Sequence, residues 1–399
     1  MIKGIKRMHF LKSFYLFFVT VITFIFDSFV IITVRKPAHS RGVGLIRMDS
    51  IGDFILWLDA AKEFRNLYPN VKTTLIANQV WSDLAKLLPY WNDVIPVDRN
   101  KFTRNPLYRF QIFRRIRKRG FESVIHTTYS RDYFRGDSLI RATGALQRIG
   151  SFGDISNMTS LQKIISDRWY SQLLSATSRP LMELQRNAEF MNGLGLRSFT
   201  ADKPSLPPLT DLPDKLVIKH PYYIVFPGTS LPEKKWPASK FGELMLKLSA
   251  LDNGVAVLCG SWKEQDLCDH VIAASGMKAL NMAGKASLPE LAEMIRRAKY
   301  LVGNDTSAVH IAAAVGTPSV CILGGGHYGR FLPYAIETDK QVAPVPVTHR
   351  MDCFNCNWQC TQPHEKGFAM PCISGIKVDQ VIKVIEEILT SVDAREAIQ

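Results

Sequence analysis

From residue 43 onward the chain alternates short apolar runs with longer amphipathic stretches. Such runs are typical of buried parallel strands, and the stretches between them are typical of crossover helices. The predicted strands are Val43–Arg47, Thr73–Ala77, Val94–Val97, Ser123–His126, Tyr223–Phe226, Val255–Cys259, Tyr300–Gly303 and Ser319–Leu323. A stretch with four prolines, Lys203–Pro213, separates the two halves. The pattern predicts an α/β protein with two open parallel sheets and a ligand cleft at the carboxyl ends of their strands.

The first 36 residues have a different pattern, an apolar run with basic flanks. The run extends over 21 residues from Phe14 to Val34, and Asp27 is the only charged residue within it. The basic flanking residues are Lys3, Lys6, Arg7, Lys12, Arg35 and Lys36. The run is long enough to span a bilayer, and no small-residue cleavage site follows it. We predict that residues 1–36 associate with a membrane, either spanning it or lying in the interface with Asp27 turned toward water. A buried core helix is the remaining alternative.

Composition narrows the class of protein. With 46% hydrophobic residues among 399, the chain can bury a sizeable core, which excludes wholesale disorder.

Of the net charge of +14, residues 1–120 contribute +13, from 21 Lys and Arg against 8 Asp and Glu. The predicted helix Pro106–Arg119 includes Arg109 and five further basic residues but no acid. An anionic membrane surface suits it better than nucleic acid, since no recognition motif accompanies it; a plain solvated face is the alternative. Seven cysteines, an odd number, indicate a reducing compartment.

Two loops that follow predicted strands carry candidate catalytic and phosphate-binding groups. In RMDSIGDFIL, Gly52 permits a tight turn, and Asp53 then begins a helix, either as a general base or as an ordinary helix cap. In PGTSLPEKKWP, Thr229, Ser230 and Lys234 offer hydroxyl and ammonium groups that suit a diphosphate. Lysines on such a loop are also compatible with a solvated surface.

A third loop, VGNDTSAVHIAAAVGTP, places Asp305 and Thr306 where a strand ends and a small-residue helix starts. The free N-terminus of such a helix can receive phosphate or sugar hydroxyls. His310 follows about one turn later and is either a ligand contact or a packed supporting residue.

Two late motifs have weaker patterns. Gly324, Gly326 and Gly329 match the spacing G-x-G-x-x-G, but neither a clear helix nor an acid about 20 residues on follows, which argues against a dinucleotide site. Four cysteines form C-x2-C-x3-C-x11-C, namely Cys353, Cys356, Cys360 and Cys372. Four thiols so spaced suit tetrahedral zinc. We prefer the interpretation that these cysteines form a reduced, packed cluster, and we expect no metal.

Taken together and in this order, the three loops resemble those of the ADP-heptose:lipopolysaccharide heptosyltransferases. The resemblance covers about residues 42–390. It implies the GT-B fold: a Rossmann-like acceptor domain over 42–202, a linker over 203–215, and a Rossmann-like nucleotide-sugar domain over 216–390, with a cleft between the domains. Residues 1–36 lie outside it. Two departures are Ser307 in place of Gly after Asp-Thr, and Gly324–His327 in place of Gly-Pro-Thr-Asp.

The resemblance also implies roles and partners. Asp53 matches the catalytic base, and the donor-binding positions are Thr229, Ser230, Lys234, Asp305, Thr306 and His310. The implied reaction is inverting, metal-independent transfer of heptose or a similar sugar from a nucleoside diphosphate, possibly ADP-heptose, to lipopolysaccharide or another glycolipid. No cofactor is expected, and the expected location is the cytoplasmic face of the inner membrane. The alternatives are a nucleotide-sugar epimerase on the same fold and a membrane-attached nucleotide-sugar binder without transferase activity.

Overall fold

The computed structural model of the chain describes residues 2–37, 41–336 and 343–396. Its strands are β1 (Val43–Arg47), β2 (Thr73–Asn78), β3 (Asp93–Val97), β4 (Ser123–His126), β5 (Gln147–Ser151), β6 (Gln172–Leu174), β7 (Tyr222–Phe226), β8 (Val255–Leu258), β9 (Leu280–Asn281), β10 (Leu301–Asn304), β11 (Ser319–Ile322) and β12 (Val345–Val347). Its helices are α1 (Ile2–Thr33), α2 (Ile51–Lys62), α3 (Phe64–Leu67), α4 (Ser82–Lys86), α5 (Arg99–Arg104), α6 (Pro106–Arg119), α7 (Ser138–Thr143), α8 (Ser160–Asp167), α9 (Glu183–Gly193), α10 (Ala238–Leu251), α11 (Gln265–Ser275), α12 (Leu288–Arg296), α13 (Ser307–Val315), α14 (Pro371–Ser374) and α15 (Val378–Glu396).

The strands form two six-stranded sheets, which confirms the predicted α/β class. The strand order is β3-β2-β1-β4-β5-β6 in the first sheet and β12-β11-β10-β7-β8-β9 in the second. Every strand pair is parallel, with Val43 opposite Thr73 and Ser123 in one sheet and Leu301 opposite Ile224 and Ser319 in the other. The strand order reverses beside β1 and beside β7. Loops that follow β1 and β4, or β7 and β10, therefore begin at the positions where doubly wound sheets bind ligands.

Contacts divide the chain into two compact units. One holds the first sheet together with α1, and the other holds the second sheet together with most of α2 and residues Pro180–Ala188. The core of the second unit includes Trp236 and Phe241 beside the central strands, and α15 covers it through Val381 and Ile385. All five residues of β1 and of β7 are buried, as the continuous apolar runs predict for central parallel strands.

Helix α1 packs on the first unit through a buried ion pair. The Asp27 side chain is 1% exposed, and its two oxygens accept hydrogen bonds from Arg109 Nε at 2.6 Å and Nη2 at 2.7 Å. Arg109 Nη1 also donates to the carbonyl oxygens of Phe134 at 2.8 Å and Phe102 at 3.2 Å. The prediction that Asp27 turns toward water when the helix lies in the interface is wrong. Arg109 was assigned to a lipid-facing or solvated surface; that is also wrong, because α6 turns it inward to pair with Asp27.

We expect Asp27→Ala to lower the free energy of unfolding of the first unit by about 3–5 kcal/mol, because it leaves the Arg109 charge buried without its partner. Urea titration followed by circular dichroism measures the change. Asp83→Ala is the control, since its ion pair with Lys86 is exposed and should contribute no more than about 0.5 kcal/mol. The double variant Asp27→Leu/Arg109→Met should recover most of the loss. Equal stability of Asp27→Ala and Asp83→Ala would contradict the docked helix.

Candidate active site

Asp53 lies in the first turn of α2, directly after Gly52, where the backbone passes close to helix α13. The preceding Gly52 packs against His310 of α13, and a Cβ atom at Gly52 would lie 3.3 Å from His310 Cδ2. Asp53 itself is half-buried. The structure thus brings together two of the three predicted loops, the Gly-Asp turn and the Asp-Thr-Ser helix.

His310 is a buried, neutral residue beneath this turn. Its Nδ1 lies 3.0 Å from the hydroxyl of Tyr334, and the two rings are parallel within 6°, with centroids 5.9 Å apart. Burial lowers the pKa of His310 to about 4, so the ring carries no charge at neutral pH. These contacts suit a residue that positions the turn. Tyr334 was missed by the sequence analysis, and no motif marks it.

Asn304, the last residue of β10, ties the second and third loops together. Its Nδ2 donates to the carbonyl of Pro227 at 2.7 Å, and its Oδ1 accepts from the backbone N–H of Trp236 at 3.1 Å. Because β7 and β10 are neighbours, one buried amide thereby holds both ends of the PGTSLPEKKWP loop. The sequence analysis did not assign Asn304 a role, although its position before Asp305 at a strand end was a usable signal.

Lys234 and Asp305 form the charged centre of this sheet edge. The Lys234 ammonium lies 3.8 Å from the ring centroid of Trp358, a cation–π contact. Burial lowers the pKa of Lys234, and the nearby Asp305 carboxylate opposes this effect. Burial likewise raises the pKa of Asp305, opposed by Lys234. A partly desolvated ammonium attracts an anion more strongly than one in water does, so the arrangement suits phosphate.

The predicted hydroxyl groups differ in their surroundings. Thr229 Oγ1 donates to the carbonyl of Leu231 at 2.8 Å and accepts from its N–H at 3.1 Å, so this hydroxyl shapes its own loop. Thr306 caps α13, and its Oγ1 accepts from the N–H of Ala308 at 3.4 Å. Ser230 is exposed on the loop. Thr306 therefore lies at the N-terminus of α13, the end of a helix that favours anions.

Glu264 is a further carboxylate at this edge that the sequence analysis did not assign to the site. A Cβ atom on Gly228 would lie 1.9 Å from Glu264 Oε1, so a side chain there would have to displace the carboxylate. Glu264 Oε2 accepts hydrogen bonds from the N–H of Ser261 at 2.7 Å and its hydroxyl at 2.8 Å. The carboxylate is thus held against the loop that follows β7. The signal was the capping pattern Ser-x-x-Glu directly after β8.

The first unit has its own polar group at the carboxyl end of β1. Arg47 Nε lies 2.7 Å from Asp49 Oδ2, and the hydroxyl of Thr128 lies 3.2 Å from both Asp49 oxygens. Asn78 Nδ2 and Trp81 Nε1 donate to the Asp49 carbonyl at 2.8 Å and 3.0 Å. Four residues thus hold the Asp49 carboxylate and backbone in place at the reversal of strand order.

The glycine-rich motif is explained by packing against aromatic rings. Cβ atoms on Gly325 and Gly326 would lie 2.2 Å from the Phe354 ring and 2.3 Å from the Trp358 ring. Trp358 has a φ of 60°, a left-handed conformation that is rare for a bulky side chain and here holds its ring between Gly326 and Lys234. These contacts account for glycine at 325 and 326 by packing, without a dinucleotide.

Three comparisons with known proteins agree on one family. A model described as glycosyltransferase family 9 (heptosyltransferase) matches residues 109–357, more than half of the chain. Lipopolysaccharide heptosyltransferase 3 of Escherichia coli K12 is 25% identical over 181 residues, which are 42% of this chain and 53% of that protein. The alignment thus spans about half the length of this relative.

Solved structures share the fold. A glycosyl transferase family 9 protein from Veillonella parvula is 17% identical, with a TM-score of 0.69 over 88% of this chain and 97% of its own. The E. coli heptosyltransferase WaaC with ADP-2-deoxy-2-fluoro heptose is 18% identical, with a TM-score of 0.61 over 86% and 99%. With the two parallel sheets, these similarities confirm the predicted GT-B fold class.

The four late cysteines lie close together in the second unit. Cys353, Cys356, Cys360 and Cys372 are free thiols that line one small pocket with Phe354. Burial and the neighbouring cysteines raise the pKa of Cys372, which favours the protonated thiol. Across residues 41–336 and 343–390, no three His, Cys, Asp or Glu side chains are arranged to hold a metal ion. One fold neighbour, TibC of enterotoxigenic E. coli, is an iron-containing glycosyltransferase (TM-score 0.53, 16% identity, 90% of this chain, 78% of its own). For this chain the packed cluster stays a prediction.

We expect protein purified without a metal-affinity tag to contain far less than about one zinc or iron per chain, and to keep its activity in EDTA. The ligand of a metal ion is the thiolate, and the raised pKa of Cys372 disfavours that form. Elemental analysis by mass spectrometry measures the content, with protein produced in zinc- and iron-supplemented medium as the control. A stoichiometric metal in both preparations would overturn the packed-cluster interpretation.

Proposed function

The chain belongs to glycosyltransferase family 9, the heptosyltransferase family, and on this premise we propose that it transfers a heptose or similar sugar from a nucleoside diphosphate to a lipopolysaccharide or related glycolipid. The observation that carries the proposal is the sheet edge at Lys234, Asp305 and the N-terminus of α13. There one buried amide, Asn304, holds the lysine loop and the Asp-Thr turn together. This edge has the charge and the donors that a diphosphate requires.

The proposed donor site adds Ser307 and Glu264 to the residues that the motifs supply. Lys234 would contact the diphosphate as a point charge, and the N–H groups that begin α13 at Ser307 would donate to its oxygens. Glu264, held against Gly228, is suited to accept hydrogen bonds from ribose hydroxyls, as acids after a neighbouring strand do in doubly wound sheets. ADP-heptose is the donor we propose, since the WaaC structure carries an ADP-heptose analogue and belongs to the same fold.

The proposed chemistry is a single displacement with inversion. An acceptor hydroxyl oxygen attacks the anomeric carbon as the bond from that carbon to the diphosphate oxygen breaks. Asp53 takes the hydroxyl proton as a positioned general base, and the nucleoside diphosphate leaves with the electron pair. Lys234 and the start of α13 stabilise the charge that grows on the leaving group. His310, neutral at its lowered pKa, would position the turn that carries Asp53. No step requires a metal ion.

The proposed acceptor is lipid-anchored, so we propose that the reaction takes place at a membrane. The relatives are named for lipopolysaccharide or lipooligosaccharide, whose precursors are lipid-anchored. A cytoplasmic nucleotide sugar and a lipid-anchored acceptor meet only at the cytoplasmic surface of the inner membrane. We propose that surface as the place of action, with anionic lipid as a partner and α1 as the contact.

Mass spectrometry of acceptor and donor after incubation tests the proposal. The protein is mixed with heptose-deficient lipopolysaccharide and, in parallel reactions, with ADP-heptose, UDP-N-acetylglucosamine or GDP-mannose. We expect the acceptor to gain the mass of one heptose only with ADP-heptose. An altered donor sugar without acceptor gain would indicate an epimerase instead. Donor binding without either change would indicate a binding protein.

A further inference from the structure

Helix α1 presents a wide face of large apolar side chains that the described residues leave exposed, apart from partial cover of Phe24 by Trp169 and Arg141. Within residues 2–37, 41–336 and 343–396, α1 alone is long and apolar enough to cross a membrane, over Phe14–Thr33. Its exposed large apolar residues are Phe14, Tyr15, Phe17, Phe18, Val21, Ile22, Phe24, Ile25, Phe29 and Ile32. The single acid between residues 14 and 34, Asp27, lies on the opposite, buried face. An apolar face of this extent on a folded unit indicates an interaction surface.

The opposite face of α1 is fastened to the folded unit along much of its length. Near the start of the contact, Thr20 Oγ1 accepts a hydrogen bond from Gln162 Nε2 of α8 at 2.8 Å. Midway, Asp27 pairs with Arg109 of α6. At the end, Arg117 Nε donates to the carbonyl of Val34 at 2.7 Å. Two helices, α6 and α8, thus hold one stripe of α1 at three points.

This docking determines how the helix can meet a bilayer. From Thr20 to Val34 the helix rises about 21 Å, about two thirds of a hydrocarbon core of about 30 Å. If α1 crossed the bilayer while docked, the polar elements that hold it would have to enter the hydrocarbon with it. A helix lying along the surface keeps those elements in water and immerses only the exposed apolar face.

We propose that α1 is an in-plane membrane anchor, docked on its own domain by the Asp27–Arg109 pair and inserted by its exposed face into the surface of an anionic bilayer. The positive charge of the neighbouring elements favours an anionic bilayer over a second protein chain as the partner of this face. Arg35 at the end of the helix is exposed, as are the cations of α6 that do not turn inward, namely Arg114, Arg115, Lys118 and Arg119. The inference rests on the proposed function only in that the glycolipid acceptor explains why the enzyme needs a membrane.

Vesicle flotation tests the surface. Full-length protein is mixed with vesicles of phosphatidylethanolamine and phosphatidylglycerol, and the Ile22→Ser/Ile25→Ser variant is compared with Leu246→Ser/Leu251→Ser on α10. The two pairs are similarly exposed, at 50% and 61% against 56% and 46%. We expect the α1 pair to lose at least about tenfold in vesicle binding and the α10 pair to stay within about twofold of wild type. The proposal would be overturned if both variants bound vesicles equally well. It would also be overturned if the wild-type protein formed a dimer in solution and did not bind vesicles.

Protease accessibility separates an in-plane helix from a spanning one. Full-length protein with an N-terminal epitope tag and a different C-terminal tag is produced in E. coli, and spheroplasts and inverted membrane vesicles are treated with protease. An in-plane helix leaves both tags on the cytoplasmic side, protected in spheroplasts and digested together in inverted vesicles. Digestion of the N-terminal tag alone in spheroplasts means that α1 spans, which overturns the inference. Transfer to a soluble acceptor fragment, assayed separately, reports on the proposed function whatever the tags show.

Discussion

Asp53→Ala is expected to lose about 100- to 10,000-fold in the rate of sugar transfer while nearly keeping the affinity for the donor. The reason is that the proposed base acts on the acceptor hydroxyl and not on the nucleotide. Single-turnover kinetics with saturating donor measure the rate, and calorimetric titration with ADP measures the affinity.

Asp53→Asn is the matched control for structure. It keeps the shape of the side chain and an oxygen that accepts hydrogen bonds in the first turn of α2, but it removes the basic carboxylate. We expect Asn to lose as much rate as Ala, with unchanged unfolding. If Asp53→Asn turned over within tenfold of wild type, Asp53 would be a helix-start residue and not the base.

Lys234→Met is expected to weaken the binding of ADP by about 10- to 100-fold and to slow transfer as well. The ammonium contacts a charge that is present in the ground state and grows as the diphosphate leaves. Methionine keeps an unbranched apolar stem over the Trp358 ring, so the change mainly removes the charge. Calorimetric titration with ADP measures the effect.

Lys235→Met is the matched control, because it removes the same charge one residue further along the same loop. Lys235 has no described contact with Trp358 or Asp305, so we expect its loss of ADP affinity to stay within about threefold. Similar losses in both variants would mean that ADP responds only to the net charge of the loop. Unchanged ADP affinity in Lys234→Met would mean that Lys234 is a surface residue without a role in donor binding.

Central strands and the edge strand β3 were predicted, and four other strands at or near the sheet edges were missed. Val43–Arg47 and Ser123–His126 were predicted with the bounds of β1 and β4, since buried parallel strands are continuous apolar runs. The strands β5, β6, β9 and β12 lie at or near the sheet edges. β6, β9 and β12 have two or three residues each, and β5 begins with the polar pair Gln147 and Arg148, so no apolar run distinguishes them.

The sequence indicated the candidate loops, whereas the contacts that support them were not predicted. Loops after β1, β7 and β10 were recognisable because each joins a buried strand to residues with phosphate or proton-transfer chemistry. Asn304 and Glu264 were not assigned despite local signals, and Tyr334 had none, since their importance comes from partners such as Trp236, Gly228 and His310 that other parts of the chain supply.

The sequence by itself determined the two parallel sheets, the loops that carry the candidate chemistry and the apolar character of residues 14–34. Each of these depends on neighbours in the chain, through strand burial, turn chemistry or composition. Only the tertiary structure decided that α1 docks on its own domain, because Asp27 and Arg109 are 82 residues apart and their pairing depends on where α6 lies. It likewise decided that most of α2, although it directly follows β1, belongs to the unit of the second sheet, where His310 packs against Gly52. Local pattern specifies elements, whereas the partners of buried polar groups are specified only when those elements pack together.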